Sequence, residues 1–120
     1  MRLAHSYDHA SSIGFNLRDP ERAQWLDRGI AAFARRARAS RFEHDPALPK
    51  SQQPTLVDVA QEMLKLAGLG AGALWRYRLR RMDRSAVQSV VSRVPELSEV
   101  TATFIVEMLE ANRRRLLDER

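Results

Sequence analysis

The apolar positions of this chain recur three and four residues apart, the period of one face of an α-helix. Six such stretches are separated by residues that start or stop helices. Asp19-Pro20-Glu21 predicts a helix to about Arg28 that buries Trp25 and Leu26. Asp19 can cap free N–H groups, Pro20 suits the first turn, and Glu21 favours the positive end of the helix dipole. Gly29 ends or bends this helix, and Ile30, Phe33, Ala34 and Ala37 predict a short second one. Thr55 with Asp58 three residues on predicts a capping box, followed by a buried stripe of Leu56, Val59, Ala60, Met63, Leu64 and Ala67. The glycine-rich stretch from Gly68 to Gly72 is expected to be a turn. It is no nucleotide loop, since no Lys-Ser or Lys-Thr follows it and no strand precedes it. Leu74 to Met82 predicts a fourth helix, with Leu74, Tyr77 or Arg78, and then Met82 on a narrow apolar side and Arg76, Arg80 and Arg81 outward. Asp83 or Ser85 can cap a fifth helix carrying Val87, Val90, Val91 and Val94, which Pro95 ends. Ser98 caps the last and longest helix, to about Leu117, with Phe104, Ile105, Met108, Leu109 and Leu116 on its core face.

Two segments lack that period. Residues 1–18 hold Ser6, Ser11, Ser12, Gly14 and Asn16, which compete with helix for backbone hydrogen bonds, so this segment reads as irregular. Residues 39–54 contain Asp45-Pro46, Leu48-Pro49 and Gln53-Pro54, and each proline disfavours helix at the residue before it. The expected architecture is all-α: about six short helices in a bundle-like domain over residues 19–120, with a Pro-rich loop at about 39–54 and an irregular segment at 1–18. A chain of 120 residues is one domain by length, with a modest core.

Composition narrows the chemistry. There is no cysteine, which excludes disulfides, zinc-thiolate sites and thiol catalysis and fits a cytoplasmic protein. The longest apolar runs are far short of the roughly 20 residues that span a bilayer, so no membrane partner is expected. Met1 to Ala10 lacks the apolar core of a secretory signal. The formal net charge is +5 and the basic residues are 18 arginines and only two lysines, Lys50 and Lys65. Arginine's fixed fork of donors suits phosphate or carboxylate. The same bias arises when a GC-rich genome writes Arg in place of Lys, and here the arginines are interleaved with acids.

The stretch Leu3-Ala4-His5-Ser6-Tyr7-Asp8-His9-Ala10-Ser11-Ser12-Ile13-Gly14-Phe15 resembles the Ser-Tyr-Asp-His-Ala-Ser-Ser motif of HipA-like serine/threonine kinases. Arg28-Gly29-Ile30-Ala31-Ala32-Phe33 is similar to that family's following short helix. Val91-Ser92-Arg93-Val94-Pro95, Phe104, Leu109 and Asn112-Arg113-Arg114-Arg115-Leu116 are similar to its C-terminal helices. The resemblance implies the C-terminal helical portion of such a kinase, of toxin–antitoxin type. It implies ATP-dependent phosphorylation of a protein serine in the complete protein, with Mg²⁺ and ATP as cofactors. It also implies that Asp8 occupies the position of a Mg²⁺ ligand, and Mg²⁺ takes hard oxygen donors of this kind. Position 5 is His where the family has Pro. Met1 falls inside the motif, so the nucleotide lobe, its lysine and the catalytic-loop aspartate have no counterpart here. The chain is therefore expected to be a truncated part of such a kinase and inactive alone, with a separate N-terminal kinase lobe or an antitoxin protein as partner. Its first 18 residues are expected to be loosely held for want of packing partners.

Other candidates are weaker. Asp8 can equally make a local turn bond. His5 and His9 would share a helix face as metal ligands, but they need a helix and a third ligand, and His44 lies in the Pro-rich loop. Ser11 and Ser12 have no base that can be placed beside them. Arg35, Arg36, Arg38 and Arg41 form the densest basic group and could meet nucleic acid or an acidic partner, or simply solvate a helix end. Arg113 to Arg115 reads as a solvated helix end. Trp25, Phe33, Trp75, Tyr77 and Phe104 could stack on bases, but their place on apolar stripes predicts core. A second functional reading remains open beside the kinase fragment: a stand-alone Arg-rich helical module that binds nucleic acid or an acidic protein.

Overall fold

The computed structural model describes residues 13–38 and 45–118, with Leu69 described by its backbone alone. Six α-helices follow one another: α1 (Asp19–Arg28), α2 (Ile30–Ala34), α3 (Leu56–Leu66), α4 (Gly68–Arg81), α5 (Arg84–Val91) and α6 (Glu99–Leu117). A 3₁₀ turn at Lys50–Gln52 lies in the Pro-rich segment. Among the described residues there is no strand, only an isolated antiparallel bridge between Arg38 and Thr55. The all-α class is as the periodicity predicts.

Helix α6 is the axis of the domain, and every other helix packs on it. Its apolar residues face two ways. Phe104 and Met108 meet Ala34, Leu17, Trp25, Leu26, Ile30 and Phe33 on the α1–α2 side. Ile105 and Val106 meet Val91, Val87, Leu97, Leu109 and Ile13 on the α5 side. Phe104 is fully buried and stands edge-on to Phe33, with ring centroids 5.4 Å apart. Burying a ring of this size stabilises by roughly 1.5–3 kcal/mol.

The start signals act as predicted at three helices. Thr55 Oγ1 accepts from the Asp58 N–H at 3.2 Å, and Asp58 accepts from the Thr55 N–H at 2.8 Å, closing the capping box. Asp83 accepts from the Ala86 N–H, and Ser98 accepts from the Thr101 N–H, at 2.8 and 3.1 Å. At α1 the roles differ. Asp19 is the first helical residue, and Glu21 reaches back to the Arg18 N–H at 2.8 Å. The Asp19 carboxylate turns instead to α6, accepting from Thr101 Oγ1 at 2.8 Å and from Arg22 at 3.0 Å. Hydrogen bonds from the Ser98 and Thr101 hydroxyls, with Arg22 third, hold its pKa below the ordinary value. The expected cap has become a tie between the N-terminal ends of two helices.

Four expectations are corrected. Helix α2 stops at Ala34 and does not reach Ala37, because the Ala37 carbonyl accepts from the Leu56 N–H and Arg38 bridges Thr55, drawing the chain toward the start of α3. The Gly68–Gly72 stretch is not a turn but the first part of α4. The corner is made at Ala67–Gly68 alone, with Gly68 at φ +83°, a conformation that favours glycine. Gly72 is helical and buried, and a Cβ there would lie 2.5 Å from the Leu64 carbonyl oxygen, so it lets α4 pass close over α3. Helix α5 ends at Val91, leaving Val94 beyond it and exposed. Last, the end of the irregular N-terminal segment is held: Ile13 and Leu17 pack into the core, and the Gly14 carbonyl accepts from Arg22.

Candidate docking face

Three basic groups come out of the fold with different fates. Arg36 lies over the Trp25 ring at 5.1 Å, with Arg28 over the same ring at 5.9 Å, and Arg38 donates to the Gln53 carbonyl at 2.9 Å. Two members of the predicted group thus serve the α1–α2 packing and the base of the Pro-rich loop. Of Arg113 to Arg115, expected as a solvated helix end, only Arg114 is exposed. Arg113 grips both oxygens of Glu110 at 2.8 and 2.9 Å, and Arg114 adds a bond at 3.0 Å. Arg113, with Arg114 second, holds the buried Glu110 carboxyl at about 2. Arg115 reaches across to the Ala34 carbonyl at 3.0 Å and Thr55 Oγ1 at 3.1 Å, pinning α2 and the start of α3 to α6. Arg113 and Arg115 are structural, while Arg114 stays largely in solvent.

The third group, on α4, is turned outward. Gly72, Arg76 and Leu79, four and three residues apart, form the inward side of α4: Gly72 is buried and the other two are half-buried. Leu74, Arg78 and Arg81 lie on the opposite side, with Tyr77 and Trp75 on its two flanks, and Met82 follows at the end of the helix, all exposed. Leu74 is 48% exposed, Trp75 42% and Tyr77 53%. Arg78 lies over the Trp75 ring at 5.3 Å and Arg81 over the Tyr77 ring at 5.6 Å, with Arg81 also donating to the Tyr77 hydroxyl at 3.0 Å. Such cation–π contacts are worth about 0.5–1 kcal/mol each at exposed sites. Helix α3 adds exposed Met63 and Leu66. The prediction that Trp75 and Tyr77 lie in the core fails, and so does the buried stripe through Leu56 and Met63. By contrast Trp25, Phe33 and Phe104 are core, as predicted.

One sequence signal could have found this face. From Met63 to Met82 there is no acid, while Lys65, Arg76, Arg78, Arg80 and Arg81 are all cationic. That segment alone carries a charge equal to the whole chain's excess of +5. Interleaving with Leu, Trp and Tyr hides the run from a search for consecutive basic residues.

Asp8, His5, His9, His44, Ser11, Ser12 and Arg41 lie outside the described residues. Among the described residues no three histidine or carboxylate side chains gather as a metal site. No described helix is long and apolar enough to cross a membrane. Comparison with protein-family models, curated proteins and solved structures finds no match for this chain.

Proposed function

We propose that this chain acts in the cytoplasm by association and not by chemistry of its own, as the C-terminal helical part of a HipA-like kinase lobe whose α4 face meets a partner protein. The exposed residues of α4 carry the reading: Leu74 stands in solvent on the outward side of the helix, with Trp75 and Tyr77 exposed on its two flanks. Three large apolar side chains exposed within four residues of one helix point to an interaction site. Phosphoryl transfer needs several groups positioned around nucleotide and metal, so the chain alone should not transfer phosphate. Asp8 would serve Mg²⁺ and ATP only in company with a nucleotide lobe.

The test is to read the native DNA upstream of Met1 and co-express whatever lobe it encodes. The expected result is a complex in which amides 74–82 gain protection from hydrogen exchange and in which ATP-dependent phosphorylation appears, lost in Asp8→Asn. An upstream region without a kinase lobe, or a complex that leaves α4 unprotected, overturns the proposal. The charge of the Met63–Met82 segment favours a second reading, a stand-alone module for an anionic partner. Nucleic acid as that partner would show affinity falling steeply with salt.

A further inference from the structure

We infer that the outward face of α4 takes an acidic amphipathic helix of a partner protein, aliphatic side chains covering Leu74, Trp75 and Tyr77 and carboxylates meeting Arg78 and Arg81. The inference rests on α4 being the contact surface proposed above, and adds the chemistry of what it meets.

Composition points to protein. The buried centres of protein interfaces are enriched in Trp, Tyr, Met and Arg and depleted in Lys, Glu and Asp. The outward face of α4 has Trp75, Tyr77, Arg78, Arg81 and Met82, with no lysine and no acid. Trp, Tyr and Arg are also the residues that dominate binding energy once water is excluded. Leu74, Arg78 and Arg81, four and three residues apart, run along two turns of helix, about 10 Å. That is the spacing a partner helix matches with anchors at every third and fourth position.

Charge selects the sign. No acid lies in the sequence between Met63 and Met82, and among the described residues no carboxylate pairs with Arg78 or Arg81, so a partner that brings carboxylates complements these two. Guanidinium and carboxylate pair through two parallel hydrogen bonds, and the rings beside Arg78 and Arg81 already orient both guanidinium groups. The same charge argues against a second copy of this chain. A two-fold contact through α4 would bring a like-charged helix against itself. Nucleic acid fits less well, because each ring already carries a guanidinium over it where a base would stack, and Leu74 between them offers phosphate nothing.

The test uses the full chain, isotope-labelled for NMR, with four probes. The first is a synthetic helix of about 15 residues with Glu and Leu in amphipathic order, long enough to hold helix when bound. The others are the same composition in scrambled order, a single-stranded oligoribonucleotide, and vesicles of phosphatidylserine and phosphatidylcholine. The expected result is saturable shifts confined to residues 74–82 with the ordered peptide only. Affinity should fall roughly tenfold or more in Arg78→Glu with Arg81→Glu, as for loss of two charge pairs. A Lys/Leu peptide of the same order should bind that double variant, a rescue that misfolding could not produce. Equal binding of ordered and scrambled peptides, shifts elsewhere, preference for the oligonucleotide or the vesicles, or no binding at all overturns the inference. If the peptide fails while the co-expressed lobe still protects residues 74–82, this inference falls and the docking proposal stands.

Discussion

Helices α6 and α4 are the two longest in the domain, at 19 and 14 residues, and both mix apolar residues with arginines. Their fates are opposite. Helix α6 buries Phe104, Ile105, Val106, Met108 and Glu110, and its arginines are spent on Glu110, the Ala34 carbonyl and Thr55. On α4 the only buried residue among the described side chains is Gly72, and its aromatic rings lie under its own arginines in solvent. Helix α3 beside it buries none. The lesson is that apolar content does not place a helix in a core. Helix α6 is surrounded because elements before it in the chain fold back on both its sides. Helix α4 packs only on α3 and α6, so most of its described apolar side chains remain exposed.

The contrast can be broken most directly at its centre. Phe104→Ala should cost about 3–5 kcal/mol, seen as a lower midpoint in urea unfolding, because a fully buried ring leaves a cavity that α1 and α2 cannot fill. An effect as small as that of a surface substitution would mean that α6 is not the core. Gly72→Val tests the opposite region. Overpacking against the Leu64 carbonyl should cost about 1–3 kcal/mol, with hydrogen-exchange protection lost in residues 56–81 and kept in α6. Loss spread evenly over both regions would show that the α3–α4 pair is not a separable unit.

Glu110→Gln should destabilise by about 1–2 kcal/mol at neutral pH, since it removes the charge that two arginines hold. The sign with pH follows from a folded-state pKa of about 2 against an ordinary 4.5. The stabilisation is full above about 4.5 and is lost as pH falls toward 2, so the wild-type advantage over the variant should shrink across that window in acid unfolding. An advantage that persists at pH 2 would contradict the ion-pair assignment. Trp75→Ala sits at the far end of the scale. Stability should change by no more than about 0.5 kcal/mol, as expected for an exposed side chain that contributes to binding and not to folding.

Much of the fold was legible in the residues. The helix count, the capping box at Thr55 and Asp58, the caps at Asp83 and Ser98, and the Phe104–Ile105–Met108 face follow from local spacing and short-range hydrogen bonding. The misreadings share a cause. Gly68–Gly72 has turn composition, yet only Gly68 turns, because glycine also serves where two helices come close. Tyr77 and Met82 lie at helical spacing from Leu74, yet their stripe points away from the core, since periodicity gives a helix a face without saying which face meets a neighbour. Asp19 looked like a cap, but the Thr101 hydroxyl that claims its carboxylate is 82 residues away in the chain.

By itself, then, the sequence determined how many helices there are, where α3, α5 and α6 begin, that α6 carries the apolar face of a core, and that residues 63–82 hold cations without acids. These depend on neighbours within a turn or two, or on composition alone. Only the tertiary structure decided that Arg113 and Arg115 are spent on partners within the domain while Arg78 and Arg81 are presented outside it with Trp75 and Tyr77. The physical reason is that an arginine's role depends on what lies within reach of its guanidinium, and the partners that matter can be tens of residues away, as Ala34 and Thr55 are from Arg115.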